Sequence, residues 1–201
     1  MKIKLTFISL VAFFALLLAC QTTTEKKEKT QDVVQEDYLK KGSDIAGTTF
    51  SVLSGQLQKA LKSGGLDSAI QYCNLAAMPL VDSLSQIHQA QIRRTSMKVR
   101  NPKNSPTLEE KLVLQTFEKN KSEGKALLPI VRTIDENKVA FYAPIQTIDF
   151  CLQCHGKVGE TLKQDDYALI QQFYPNDKAT GYEAGDLRGM WSIQFTTDGR
   201  R

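Results

Sequence analysis

The stretch Lys138-Val139-Ala140-Phe141-Tyr142-Ala143-Pro144-Ile145 runs, through Gln146 to Phe150, into Cys151-Leu152-Gln153-Cys154-His155. Its β-branched and aromatic residues read as a strand. Lys125 to Ile134 upstream reads as another, and Asp135-Glu136-Asn137 supplies the turn that joins them. Towards the N-terminus, Thr107-Leu108-Glu109-Glu110 has capping-box spacing and opens a helix through Leu112, Val113 and Phe117 to about Lys121. Turn residues fill Arg100 to Pro106, and Ile92 to Val99 is a further expected strand. On the C-terminal side, Leu162 to Phe173 has helical spacing, Tyr174-Pro175-Asn176-Asp177 breaks it, and Gly189 to Thr196 reads as a final strand.

Two longer helices precede this mixed region. Asp37 to Lys62 places Ile45, Phe50, Leu53, Leu57, Ala60 and Leu61 at helical spacing and stops at Gly64-Gly65. A second helix opens near Leu66-Asp67-Ser68 and carries Ile70, Cys73, Ala77, Leu80, Leu84 and Ile87 towards Gln91. Pro79 must kink that helix or start a new segment, because proline lacks the donor that bonds four residues back. No internal repeat is visible. The expected class is α+β, with a few antiparallel strands, flanking helices and long N-terminal helices.

A length of 201 residues suggests one domain with additions. Lys2 and Lys4 precede an apolar run from Leu5 to Ala19 that is too short to span a bilayer comfortably, so residues 1–19 read as a signal peptide. Leu17-Leu18-Ala19-Cys20 has the order of a bacterial lipobox, which makes Cys20 the expected lipidation site. Acyl chains anchor firmly, each buried methylene contributing about 0.8 kcal/mol. Gln21 stands where an inner-membrane retention signal would have Asp, so the expected location is the outer membrane, facing the periplasm. Residues 20–36 are rich in Thr, Lys, Glu and Gln and read as a flexible lipidated tether, followed by a domain over 37–201. Loss of Lys2 and Lys4 with the leader lowers the formal net charge from +4 to +2. With charges otherwise scattered, nucleic acid is not an expected partner.

The chain has 4 cysteines. An exported protein matures in an oxidising space, where idle thiols are a liability. Cys20 is assigned to lipid. Cys151 and Cys154 fit covalent attachment of a c-type haem: thiols three positions apart can add to the two vinyl groups, and the adjacent His155 becomes the proximal iron ligand. A thioredoxin-like redox pair is the first rival, but it would place the pair at a helix start after a strand and gives the histidine no role. Zinc is the second, and only Cys73 and His88 remain to complete its ligand set. Cys73 is left without a partner. The candidates for the second axial position are Cys73, His88, Met78, Met97 and Met190, and composition does not choose among them. Ligation as a thiolate would explain why the Cys73 thiol survives unpaired.

Four blocks carry a resemblance: Ala69-Ile70-Gln71-Tyr72-Cys73-Asn74; Arg93-Arg94-Thr95-Ser96-Met97-Lys98-Val99-Arg100-Asn101-Pro102-Lys103-Asn104; Cys151-Leu152-Gln153-Cys154-His155-Gly156; and Thr180-Gly181-Tyr182 with Gly185-Asp186-Leu187-Arg188-Gly189. In this order, over about Asp37 to Phe195, they resemble the extracytoplasmic c-type haem domains with a PAS-like fold. That family is found alone in cyanobacteria and other bacteria, and as input regions of sensor kinases. The resemblance implies a PAS-like antiparallel sheet, one covalent haem c, and His155 and Cys73 as the two axial ligands of the iron. Arg93, Arg94 and Arg100 are expected partners of the haem propionates, because guanidinium matches carboxylate geometry.

An anionic thiolate favours ferric iron, so the expected function is a low-potential redox or gas sensor, or an electron-transfer protein with a redox partner protein. A simple cytochrome shuttle with fixed ligands is the alternative. A small haem peroxidase is a third reading, with His88 as the only spare histidine for acid-base work. A catalyst is not expected. A homodimer through the long N-terminal helices stays open.

Overall fold

The computed structural model describes residues 35–197 in full and, for residues 4–34, the helical backbone alone. The chain forms two compact units, Met1–Tyr38 and Leu39–Arg201. Helix α1 (Lys4–Leu75) supplies the helix of the first unit and continues in the second. The expectations for the leader, for Cys20 and for most of the tether fall on side chains outside the described residues. The second unit holds the sheet together with Cys73, Cys151 and Cys154.

Within α1 the backbone leaves helical geometry at Gly64 (φ −153°, ψ 25°) and Gly65 (φ 63°, ψ −153°), the expected stop. Gly65 lies in a region that residues with a Cβ avoid. The helix then resumes and brings Ile70 and Cys73 to its last turns. Leu75 ends it, and α2 (Ala77–His88) follows from the cap residue Ala76. Pro79 is the third residue of α2, where its missing N–H costs nothing because first-turn amides have no helical partner. It therefore starts a segment rather than kinking one.

The sheet has four antiparallel strands in the order β1-β4-β3-β2: β1 (Ala90–Thr95), β2 (Ile130–Asp135), β3 (Lys138–Gln146) and β4 (Leu187–Thr196). The last strand returns between the first strand and the β2–β3 hairpin. This is the α+β class with an antiparallel sheet. Strand β1 starts and ends earlier than expected, because Ser96 Oγ accepts the Lys98 amide and turns the chain away after Thr95. Residues 125–129 do not pair; Pro129 has no donor to offer a ladder.

Helix α3 (Leu108–Ser122) begins with both halves of the capping box formed, Thr107 Oγ1 accepting from the Glu110 amide (3.2 Å) and Glu110 Oε2 accepting from the Thr107 amide (2.8 Å). It lays Val113, Leu114 and Phe117 on one sheet face against Ala140, Tyr142 and Met190. The other side of the core involves α1. A Cβ on Gly42 would fall 2.2 Å from Phe141 Cγ, so the bare helix backbone lies directly on β3 there. A short 3-10 helix (Pro102–Asn104) follows β1. A seven-residue helix not expected from the sequence, α4 (Asp149–His155), carries the pentapeptide, and α5 (Gln164–Phe173) follows it. Ile170 and Tyr174 cluster with Leu162 and with Ile70 of α1, and Cys154 packs against the same cluster. This cluster draws the last turns of α1 towards α4.

Candidate functional site

Cys73, from the end of α1, and Cys151, Cys154 and His155, from α4, line one cavity of about 280 Å³. Its walls are mainly apolar, including Phe50, Leu57, Ile145, Ile148 and Trp191, the pattern of a cofactor site. Gly189 also lines it, with φ at 159°, and a Cβ there would lie 2.3 Å from the Thr95 carbonyl oxygen. Only glycine lets β4 pass β1 this closely at the cavity edge.

His155 is held in one tautomer. Its Nδ1 lies 2.7 Å from the Ala179 carbonyl oxygen, which can only accept, so Nδ1 carries the proton and Nε2 keeps its lone pair. Burial holds this imidazole well below its usual pKa, and the guanidinium charges of Arg188 and Arg100 act in the same direction. A neutral imidazole with a fixed Nδ1–H is the form that ligates a metal. The Tyr182 amide bonds the His155 carbonyl (3.0 Å) and the Gly181 amide bonds that of Gly156 (2.8 Å), so the loop after α5 grips the end of α4. Tyr182 also meets the His155 ring edge-on at 6.5 Å.

Burial pushes the Cys73 thiol up, while Arg94 and Arg100 pull it down. Cys154 is pushed up to about 11, chiefly by burial. Cys151 and Cys154 do sit on a short helix after a strand, the setting that a redox pair asks for. A redox pair leaves the tautomer-fixed His155 and the Cys73 thiol of the same cavity without a role. For zinc, no group of three or more His, Cys, Asp or Glu is arranged to hold a metal ion among the described residues.

Of the other axial candidates, Met78 lines the cavity, with its sulfur 3.6 Å from Asn101 Nδ2. His88 ends α2 and does not line it. Met97 is exposed outside the cavity, and Met190 is fully buried under α3. His88 is therefore not placed to serve as the distal base of the peroxidase reading.

The three expected arginines separate. Arg94 lines the cavity, its guanidinium 5.8 Å from the Trp191 ring centre, and forms no ion pair among the described residues. Arg93 does not reach the cavity, which corrects its expected role. Successive strand residues point to opposite faces. Arg93 shares a register row with Ser192 and Tyr142, on the α3 side, whereas Arg94 shares one with Trp191 and Ala143. Arg93 Nε instead lies 3.3 Å from Oε1 of the buried Glu110, and its Nη2 donates to the Ser105 carbonyl (2.7 Å). Arg100 lines the cavity but is partly committed: Nη2 donates to the Cys154 carbonyl (2.5 Å) and to Asp177 Oδ2 (3.0 Å).

Arg188 was not singled out from sequence, although it lay within the last resemblance block. It lines the cavity, its Nη1 donates to the Lys98 carbonyl (3.1 Å), and its guanidinium faces Tyr182 at 5.3 Å. Three buried polar groups of the lining have no hydrogen-bond partner: Tyr72 OH, Arg100 Nε and Arg188 Nε. Buried donors in folded proteins are normally paired, so these await an acceptor. An apolar slot with three thiols, one neutral imidazole and unpaired cationic donors fits a haem: it offers thiols that could attach one, an imidazole nitrogen that could hold the iron and donors that could meet two propionate carboxylates.

No match is found among curated proteins. A solved structure described as "Crystal structure of the cyanobacterial heme-protein Tll0287" aligns with 76% of this chain and 95% of its own, at 26% identity and a TM-score of 0.51. The family model of Tll0287-like proteins matches residues 15–196. The match extends over most of the sequence, and the chain belongs to the Tll0287-like family.

Proposed function

We propose that the chain binds one haem c in this cavity, attached through Cys151 and Cys154 with His155 and Cys73 as axial ligands, and works as a low-potential redox or gas sensor or an electron carrier. The observation that carries this reading is the meeting of Cys73 with Cys151, Cys154 and His155 in a single apolar cavity, although they come from helices distant in sequence. The family match and the solved haem protein support it. When bound, the haem supplies an iron centre that changes oxidation state by one electron.

The chain's own residues set the rest. His155 presents Nε2 because its Nδ1–H donates to the Ala179 carbonyl. Burial pushes the Cys73 thiol up and Arg94 and Arg100 offset part of that cost; bound to the iron as a thiolate, Cys73 would favour the ferric state and lower the potential. Arg94, Arg188 and the free Nε of Arg100 replace the sequence-based trio as the propionate partners. If Cys73 takes up a proton on reduction it leaves its position, and a small gas can enter; this is the sensor arm. If Cys73 holds in both states, the chain is a shuttle. Carbon monoxide binding by the reduced protein separates the two arms.

The same proposal makes the chain a lipoprotein on Cys20, facing the periplasm from the outer membrane. Expression with haem-maturation machinery tests the core of it. Haem that stays with the polypeptide on a denaturing gel, and is lost in Cys151→Ala, Cys154→Ala, is the expected result; a polypeptide without covalent haem overturns the reading.

A further inference from the structure

Asp177 belongs to none of the ligand or attachment sets, yet its side chain is fully buried. Burying a carboxylate is costly unless it is paired and hydrogen-bonded. Both of its oxygens are engaged. Oδ2 accepts from Arg100 Nη2 at 3.0 Å, and Oδ1 accepts from the Ala179 amide at 2.8 Å. Those two partners touch the pentapeptide directly. Arg100 Nη2 also donates to the Cys154 carbonyl at 2.5 Å, and the Ala179 carbonyl accepts the His155 Nδ1 proton at 2.7 Å.

Asp177 thus closes a ring around the end of α4. One arm, through Arg100, holds the carbonyl of the second attachment cysteine. The other, through the turn to Ala179, aims the acceptor that fixes the imidazole. The Lys178 amide ties the same turn to the Val99 carbonyl (3.0 Å), one residue before Arg100, so the two arms share one support. The two peptide groups of Ala179 are distinct units, so the effect on His155 is one of aim, not of polarisation through a bond.

We propose that Asp177, acting with Arg100, is the positioning residue for the axial histidine: it sets the tilt and hydrogen bonding of His155 and compensates the Arg100 charge beside the iron site. The proposal rests on the haem reading above. Outer hydrogen bonds and local net charge are two of the levers by which a protein tunes a haem. In Asp177→Asn the Arg100 charge is left uncompensated and the Ala179 acceptor loosens. Both changes favour the ferrous state, so the midpoint potential moves to a more positive value.

The test uses the full chain matured with haem, in unchanged, Asp177→Asn, Arg100→Lys and Arg94→Lys forms. Covalent haem content, ferric electron paramagnetic resonance and midpoint potential are measured on each. The expected result is full covalent haem in all four, a positive shift of potential in Asp177→Asn, and altered ferric g-values in Asp177→Asn and Arg100→Lys. Arg100→Lys keeps the cation but loses the shared Nη2 bridge and the Nε offered to a propionate, so if Asp177→Asn does not accumulate folded it carries the test beside Arg94→Lys, which loses a propionate partner and keeps the bridge; g-values altered alike in both overturn the proposal. Full haem content with unchanged g-values and potential overturns the proposal, because a purely structural role would alter stability alone. Absence of covalent haem from the unchanged chain overturns the haem reading itself, and the proposal with it.

Discussion

Arg93 and Arg94 are chain neighbours with opposite surroundings, one against the buried carboxylate of Glu110 and one against Trp191 at the cavity wall. Removing Arg93 leaves Glu110, only 1% exposed, without its cation. Because Arg93 itself is partly exposed, the expected loss in Arg93→Ala is about 2 kcal/mol, below the cost of breaking a fully buried pair. Chemical denaturation measures it, and the haem spectrum should not change. Arg188→Ala should behave in the opposite way, altering the haem spectrum and potential more than the stability. A spectrum altered by Arg93→Ala and untouched by Arg188→Ala would contradict the assignment. Much of this was legible. The pentapeptide pointed to Cys151, Cys154 and His155 from residue types alone, and Cys73 joined them through the unpaired thiol and the family resemblance; the expectation for both Arg93 and Arg94 overlooked the period-two alternation that puts chain neighbours in a strand on opposite faces. Arg188 was not legible, because a single arginine in a strand carries no signal until β4 is placed beside the cavity.

Helix α3 shows how an element can be read almost complete from sequence. Thr107 and Glu110 form both bonds of their box, and the apolar residues Val113 and Phe117 take the sheet face. Thr107→Ala removes one of those bonds and should lower stability by about 1 kcal/mol. Phe117→Ala, at a site with no exposed surface, should cost about 3–5 kcal/mol. Thermal unfolding of the two variants checks the order; equal losses would contradict the packing described for this face. Helix α4 could not be read in the same way. It has seven residues, fewer than two full turns can make periodic, and its cap residue Ile148 has no capping side chain. Pro79 announced an interruption, but only the observed break at Ala76 tells that the proline opens a helix rather than bending one.

At the scale of the molecule, the strand order β1-β4-β3-β2 brings together segments that no local signal pairs, and the loop from Glu183 to Leu187 fixes that closure. Asp186 Oδ2 accepts the Glu183 amide (2.7 Å), and Oδ1 accepts from Lys121 of α3 (2.5 Å). These bonds, the Glu183 amide foremost, hold its carboxyl below the ordinary 3.8. A depressed carboxylate contributes stability above its unfolded pKa and loses it as the pH falls through the folded one. Asp186→Asn should therefore be less stable than the unchanged chain at neutral pH, with the gap closing in acid below 3.8. A gap independent of pH would contradict this pairing. The sheet and the Asp186 bonds hold β4, and with it Gly189 and Trp191, at the wall of the cavity where Cys73 faces α4. The measurement that bears most directly on that cavity is the ferric spectrum of the haem-loaded chain with and without Cys73. Thiolate ligation predicts a low-spin ferric signature that is lost in Cys73→Ala while covalent haem is retained. An identical spectrum in the variant would contradict it.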